Sequence, residues 1–259
     1  MIKFFRKIRY DLMEKNKTGK YFKYAIGEIM LVVVGILIAL QINNWNEIRK
    51  KRVQERFILE RIKADLSSDL DLITYQIEKA TTFTEQLLFC VAAMLDEKQV
   101  TREEFIENLS SILIILYFDQ NRTTFENIVS SGQLDYLQNQ MLTDSIIEYY
   151  NDGANIGWDS GLREYTRNII APYMLKFDHI PKVPQTSYRE NAFREFTEID
   201  VTKSKIEPKS VEDYKNNIFI LNILRNKIYG MEGQIMEYEQ LKKTIEQLQK
   251  QVTVEISKS

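Results

Sequence analysis

The strongest constraint on this chain is an apolar run close to its N-terminus. Residues 24–42 read YAIGEIMLVVVGILIALQI and carry a single charge, on Glu28. As an α-helix this run extends about 28 Å, close to the roughly 30 Å of hydrocarbon in a bilayer. The run therefore predicts a transmembrane helix over residues 21–43, with Trp45 beyond it as an interfacial anchor.

The residues around this run predict how it sits in the membrane. A cleaved signal peptide needs small residues at its cut site, whereas residues 40–45 read LQINNW. We therefore expect an uncleaved, single-pass signal anchor. Eight Lys or Arg residues precede the run and six occur in the twenty residues after it, with Lys20 and Lys23 directly adjoining it. This bias predicts a cytoplasmic N-terminus, and a periplasmic domain over residues 44–259 of an inner-membrane protein.

Residues 1–20 predict a basic cytoplasmic segment that contacts membrane lipid. Helical spacing places four apolar residues on one face, with cations around them: Ile2, Phe5, Ile8 and Leu12, then Lys3, Arg6, Lys7 and Arg9. Such a pattern is typical of an amphipathic helix lying on an anionic leaflet. The alternative is a basic tail without defined structure that only sets topology.

Four residues of the predicted span are candidates for helix packing inside the membrane. Gly35 and Ala39 form a small-xxx-small pair, and Gly27 lies on a similar face. Glu28 lies one turn inside the cytoplasmic edge, where a carboxylate contacts another transmembrane helix or reaches the headgroups. Glycine and alanine are also common in spans that do not self-associate.

Composition argues against several function classes. The net charge is −2, so no basic surface predicts nucleic-acid binding. Cys90 and His179 are the single cysteine and the single histidine, which leaves no disulfide, thiolate cluster or histidine metal site to build. The sequence also has no phosphate-binding glycine loop and no hydrolase or zinc-protease motif. We expect no cofactor, no metal and no enzymatic activity.

Glycine and proline distribution favours an all-α fold. No glycine or proline occurs between Gly35 and Gly132. Apolar residues then recur at steps of three and four from Leu59, which predicts one helix from the membrane to about Leu95. A second such stripe, including Ile218, follows a cap at Ser210 and reaches Val252. We predict an elongated antiparallel bundle in which these two long helices pack like a coiled coil.

Shorter helices are predicted between the two long ones. The capping box at Thr101 starts a helix to about Tyr117, and Thr123 or Thr124 caps another that stops at Gly132. Thr143 opens a helix over 144–150, and a further helix covers about 155–176. Residues 178–209 form a proline-bearing connection. The glycines at 230 and 233 mark a bend or a close helix contact in the last helix.

The segment over residues 124–150 is the best candidate for specific recognition. Four residues in and beside it are candidate contacts to a partner: Arg122, Glu126, Tyr149 and Tyr150. Short helices joined by a tight turn present side chains well to a partner or pocket. Tyrosines at the end of an apolar run are, however, more often core or rim residues.

Three stretches of the sequence resemble a known family. They are MIKFFRKIR, then KYAIGEIMLVVVGILIALQINNWNE with its following basic run, and TFENIVSSGQLDYLQNQMLTDSIIEYY. Together they resemble an uncharacterised family of single-span inner-membrane proteins from Gram-negative bacteria. The resemblance implies a cytoplasmic N-terminus and a periplasmic domain, and it assigns no activity and no residue role.

The sequence leaves two function classes open. The first is a non-enzymatic, membrane-anchored protein whose helical bundle mediates protein–protein interaction or scaffolding, with self-association through the span. The alternative is a periplasmic ligand-sensing bundle that signals through a separate partner.

Overall fold

The part of the chain that the computed structural model describes is mostly helical. That part comprises residues 18–152, 157–178 and 207–258, with side chains described over 26–151, 157–178 and 207–258. No strand occurs in these residues, so the predicted all-α class is confirmed for them. Lys3, Arg6, Lys7 and Arg9 lie outside the described residues, as do His179 and most of the predicted connection over 178–209.

Eight α-helices follow one another in the described residues. They are α1 (Thr18–Met94), α2 (Arg102–Leu109), α3 (Thr123–Ser130), α4 (Gln140–Asp152), α5 (Gly157–Tyr165), α6 (Ala171–Phe177), α7 (Val211–Lys215) and α8 (Ile218–Lys258). Single 3₁₀ turns follow α2 and α3, and a π-helical turn at Thr166–Ile170 joins α5 to α6. The predicted end of the first helix near Leu95 is confirmed.

The chain divides into two compact units, residues up to Phe57 and residues 58–258. In the first unit, the N-terminal part of α1 is long and apolar enough to cross a membrane, and none of its apolar window is buried. Gly27, Gly35 and Ala39 are exposed, and a Cβ added to either glycine meets nothing within 4 Å. The packing role predicted for them, and for half-exposed Glu28, stays a prediction.

Two hydrophobic clusters form the core of the second unit. One contains early α1 residues and late α8 residues: Ile58, Leu59, Ile62 and Leu66 with Tyr238, Ile245, Leu248 and Val252. The other contains later α1 residues and earlier α8 residues: Ala80, Phe83, Leu87 and Cys90 with Ile220, Ile223, Leu224 and Ile228. Between the same helices, Gln249 Nε2 donates a hydrogen bond of 2.7 Å to Ser67 Oγ.

The helix that starts after Thr101 is shorter than predicted. The capping box between Thr101 and Glu104 is present, but α2 ends at Leu109 and its 3₁₀ turn ends at Leu113, not at Tyr117. Hydroxyl groups at 110 and 111 bond the carbonyls three residues before them, which favours the tighter turn. Beyond this turn, side chains from other helices bond the backbone groups that a longer helix would have used.

Side chains other than the predicted threonines cap α3 and α4. Asn121 Oδ1 accepts the Thr123 N–H and Asp65 Oδ2 accepts the Thr124 N–H, so neither threonine is the cap. Asn139 Oδ1 accepts the N–H of residue 142, which starts α4 at 140 and places Thr143 inside the helix. The glycine end of α3 is as predicted, because Gly132 has a left-handed backbone with φ of 68°.

The last predicted helix is interrupted near its start. Ser210 and Asp213 form the expected capping box, but α7 ends at Lys215. Asn217 Oδ1 then accepts the backbone N–H groups of residues 219 and 220 and caps α8. The helix starts afresh there, and Ile218, predicted in the buried stripe, is exposed instead.

Candidate functional site

An extended segment, residues 114–122, runs between the helices of the second unit. Its even-numbered residues are buried through 120, whereas Ile115 is half-buried and Tyr117 and Asp119 are exposed. This alternation is typical of a strand, yet the described residues contain no strand that pairs with it. Buried backbone groups need hydrogen-bond partners, and here two groups of side chains supply them.

The first group begins with a lysine inside the core. Lys227 is 1% exposed, and its Nζ donates to the Ile114 carbonyl and to Thr166 Oγ1, both at 2.8 Å. Burial removes the ammonium from water and lowers the pKa of Lys227 to about 8. A buried cation thus holds the first carbonyl of the extended segment.

The same face of α8 continues this group. Gln234 Nε2 donates to the Leu116 carbonyl at 3.2 Å and to Asp159 Oδ1 at 2.5 Å. Tyr238 OH donates to the same Asp159 oxygen at 2.6 Å, while Asp159 Oδ2 accepts the Phe118 N–H at 2.8 Å. We call these residues the α8 network: Asp159, Thr166, Lys227, Gln234 and Tyr238.

Two glycines allow Asp159 to reach this network. A Cβ on Gly230 would lie 2.5 Å from Leu162 Cδ2, and one on Gly233 would lie 2.6 Å from Trp158 Nε1. Only a residue without a side chain leaves α5 this close to α8. The sequence predicted either a bend or a close helix contact at these glycines, and the structure has the close contact.

The second group of side chains comes mainly from α1. Asp69 Oδ1 accepts the Asn121 N–H at 2.8 Å, and Asp69 Oδ2 accepts the Tyr149 hydroxyl at 2.6 Å. Asp65 accepts the Asn121 side-chain amide at 3.2 Å and the Thr124 N–H at 3.0 Å. Burial raises the pKa of Asp69, although the bonds from Tyr149 and Asn121 oppose this shift. We call these residues the α1 network: Asp65, Asp69, Asn121 and Tyr149.

The four predicted contact residues are brought together beside the α1 network. Arg122 donates to Glu126 at 3.2 Å and also bonds the Tyr150 carbonyl. The rings of Tyr149 and Tyr150 meet edge to face at 5.0 Å. Arg122 and Glu126 reach solvent, whereas both tyrosines are buried, the arrangement expected for core residues. A role for these four residues in binding a partner stays a prediction.

Tyr150 ends in a buried hydroxyl without a hydrogen-bond partner among the described residues. Its ring stacks on Phe125 at 4.5 Å. Burial raises the pKa of this hydroxyl, and the nearby carboxylates of Asp65 and Asp69 raise it further. The phenol therefore stays neutral at physiological pH.

Most of the buried polar residues do not follow from the apolar periodicity of the sequence. Asp69 and Lys227 each occupy a helical position three residues after one core leucine and four before another core residue. A charged residue in an otherwise apolar stripe is the signal that marks such positions. Asp159 carries no such signal, because its place depends on the approach of α5 to α8.

The chemistry of these networks is hydrogen bonding to the chain itself. Each carboxylate oxygen of Asp69 and Asp159 accepts a backbone, amide or hydroxyl hydrogen. In the described part of the chain, no three His, Cys, Asp or Glu residues lie close enough to hold a metal ion. Burial raises the pKa of Cys90 to about 12, so its thiol stays protonated at neutral pH.

An exposed apolar line runs along the outer side of α8. Ile218, Tyr229 and Met236 are 69%, 68% and 71% exposed, and their spacing places them within about 20° on one face. The Tyr229 ring meets the Trp158 ring edge to face at 5.6 Å. We call these three residues the α8 outer stripe.

Comparison with known proteins gives one match. No curated protein and no solved structure matches the chain. A family model matches a part of the chain that begins inside the apolar run and ends just after α4. This part contains the whole α1 network but not Asp159, Lys227 or Gln234. Residues 28–154 match the model of a family of unknown function, DUF6090, which confirms the resemblance to an uncharacterised family.

Proposed function

We propose that this protein is a non-enzymatic membrane anchor whose helical domain binds a second protein. In this proposal the N-terminal part of α1 spans the inner membrane with its N-terminus in the cytoplasm. Residues 44–259 then lie in the periplasm. The observation that carries the binding proposal is the α8 outer stripe.

The composition of this stripe favours a protein as its occupant. Aromatic residues and methionine are enriched where protein partners make their main contacts. Tyr229 and Met236 lie seven residues apart, about 10 Å along the helix, the spacing at which a partner helix places successive anchors. Exposed Glu232 lies between them and exposed Arg225 lies one turn before Tyr229, and both give such a partner charges to match.

The buried polar side chains support a role without catalysis. Those of both networks hold the extended segment, and their oxygens and nitrogens are used by the chain's own groups. A catalytic site needs such groups turned towards a substrate in a cleft. The α1 and α8 networks instead support a rigid domain that presents its surface.

For the architecture of this domain we propose the antiparallel pairing of α1 with α8 in a coiled-coil-like bundle. The order of residues in the two hydrophobic clusters and the bond between Ser67 and Gln249 support it. A Ser67→Cys, Gln249→Cys pair in a Cys90→Ala background should react with a short bismaleimide within one chain. Absence of this crosslink, with both thiols reactive, contradicts the pairing.

Photo-crosslinking in membranes tests the binding proposal. A photoreactive amino acid at Tyr229 or Met236 should capture one and the same protein, and the same amino acid at exposed Glu97 should not. Met236→Glu should abolish capture from position 229, because a charge enters the apolar contact. Equal capture from position 97 contradicts the stripe as the binding surface. A chain that instead retains a small molecule through purification favours ligand sensing.

Reporter fusions test the proposed orientation. A reporter that is active only in the cytoplasm should give signal after Lys20 and none after Ser259. Signal after Ser259 overturns the orientation.

Gly35→Leu and Ala39→Leu test self-association through the span, because leucine blocks close approach of two backbones. An unchanged oligomeric state in detergent would contradict that contact.

A further inference from the structure

Four consecutive cations follow the apolar run on the same helix. Arg49, Lys50, Lys51 and Arg52 are all exposed in the first unit. None of the four bonds an acidic side chain within the described parts of the chain. The nearest acidic residue in sequence, Glu47, accepts a hydrogen bond from Asn43 at 3.2 Å. The four positive charges are therefore available to an external anion.

The distance of these cations from the apolar run suits the headgroup region. The four cations lie seven to ten residues after Ile42, about 10–15 Å along a helix. Headgroups extend about 5–8 Å beyond the hydrocarbon on each side. Helical side chains tilt towards the N-terminus of their helix, which here is the direction of the bilayer. Long Lys and Arg side chains thus reach back to the level of the lipid phosphates.

The distribution of the charges around the helix favours lipid over a protein. Successive helical residues differ by about 100°, so four in a row point to all sides of the helix. A protein partner would contact one face, whereas lipids surround a span. Exposed Trp45 and Ile48 lie on the membrane side of the cations, as expected for residues at the interface.

We propose that residues 49–52 form a collar that binds the phosphate groups of anionic phospholipids at the C-terminal end of the span. The two guanidinium groups suit bidentate phosphate contacts, and the two ammonium groups act as point charges. The inference rests on the proposed membrane anchoring. It does not depend on which leaflet faces the cytoplasm.

Quenching of Trp45 by brominated lipids tests the collar in the full-length protein. Vesicles combine phosphatidylcholine and phosphatidylglycerol in equal amounts, with one or the other brominated near the headgroup. A Trp45→Phe variant gives the contribution of Trp158 for subtraction. Brominated phosphatidylglycerol should quench Trp45 with an apparent association at least about fivefold stronger than that of brominated phosphatidylcholine. This factor is the effect of one cation at an anionic surface.

Two charge variants distinguish the effect of the collar on quenching from the effect of net charge. The collar variant replaces Arg49, Lys50, Lys51 and Arg52 by Gln, and the quenching ratio should fall to about one. The matched control replaces four exposed cations elsewhere by Gln, namely Arg167, Lys176, Lys243 and Lys250, and should keep the original ratio. Equal quenching by both lipids in the unmodified chain, or an unchanged ratio in the collar variant, overturns the collar while the anchor stands. No quenching by either lipid overturns the anchor and the collar together.

Discussion

The α1 network and the α8 network hold the same extended segment by opposite means. The α1 network uses carboxylates, which accept N–H groups near the end of the segment, at Asn121, and just beyond it in α3, at Thr124. The α8 network uses mainly donors, and Lys227 and Gln234 bond carbonyls at its start. The two networks thus bond backbone groups at opposite ends of the segment. A non-helical segment can therefore be buried in a helical domain without a pairing strand.

The two networks also differ in charge and in the parts of the chain that supply them. The α1 network holds two carboxylates, whereas the α8 network holds one carboxylate and a buried ammonium. The α1 network lies wholly within residues 28–154, the part matched by DUF6090, whereas the α8 network draws on α5 and α8 beyond it. Loss of a member should therefore affect stability differently in the two networks.

The largest expected loss of stability distinguishes Asp159 from Asp69, the central carboxylates of the two networks. Asp159→Ala leaves the Phe118 N–H and the Tyr238 hydroxyl without an acceptor and takes one acceptor from Gln234, so it should lower the free energy of unfolding by about 3–5 kcal/mol. Asp69→Ala leaves two donors and also removes a charge that burial disfavours, so about 1–3 kcal/mol is expected. Urea unfolding of the full chain in detergent, followed by circular dichroism, measures both. Tyr238→Phe and Tyr149→Phe are matched controls, because each removes one donor. A loss of unfolding free energy in Asp69→Ala equal to or above that in Asp159→Ala contradicts the expected difference between the two networks.

A pH series isolates the buried ammonium of the α8 network. The pKa of Lys227 is about 8 in the folded chain and ordinarily 10.5, so between these values the unfolded chain binds more protons. Stability should therefore rise as pH increases across this range, with a limit of about 3 kcal/mol. In Lys227→Met this contribution should be absent. Parallel pH dependences in the two chains would show that the lysine is not buried as a cation.

The approach of α5 to α8 gives the next effect. Gly233→Ala pushes a methyl group against the Trp158 ring and should cost about 1–3 kcal/mol, because an aromatic ring cannot fold aside. Gly161→Ala is the matched control, since a Cβ there meets nothing within 4 Å. It should stabilise the helix by about 0.5–1 kcal/mol. The same unfolding measurement applies, and a neutral Gly233→Ala would mean that α5 lies further from α8.

The sequence predicted the features that depend on local residues and missed those that depend on distant partners. The capping boxes at Thr101 and Ser210, the glycine end of α3 and the end of α1 follow from nearby side chains, and all are present. The helix predicted to Tyr117 failed because its backbone carbonyls bond Lys227, Gln234 and Gln76 from far along the chain. Apolar periodicity carries no information about such bonds. The α1 network was missed for the same reason, although one of its members, Tyr149, and the adjacent Arg122 were singled out.

The smallest effect tests the start of α4, which the sequence placed at Thr143 and the structure places after Asn139. Asn139 Oδ1 accepts the N–H of residue 142 and its Nδ2 donates to Glu255 at 2.7 Å, so Asn139→Ala should cost about 1 kcal/mol. Thr143→Val removes only a hydroxyl whose acceptor, the Asn139 carbonyl, keeps its helical bond from the Thr143 N–H. That variant should change the free energy of unfolding by less than about 0.5 kcal/mol. The reverse order of the two losses would return the cap to Thr143 and contradict the bond from Asn139 to α8.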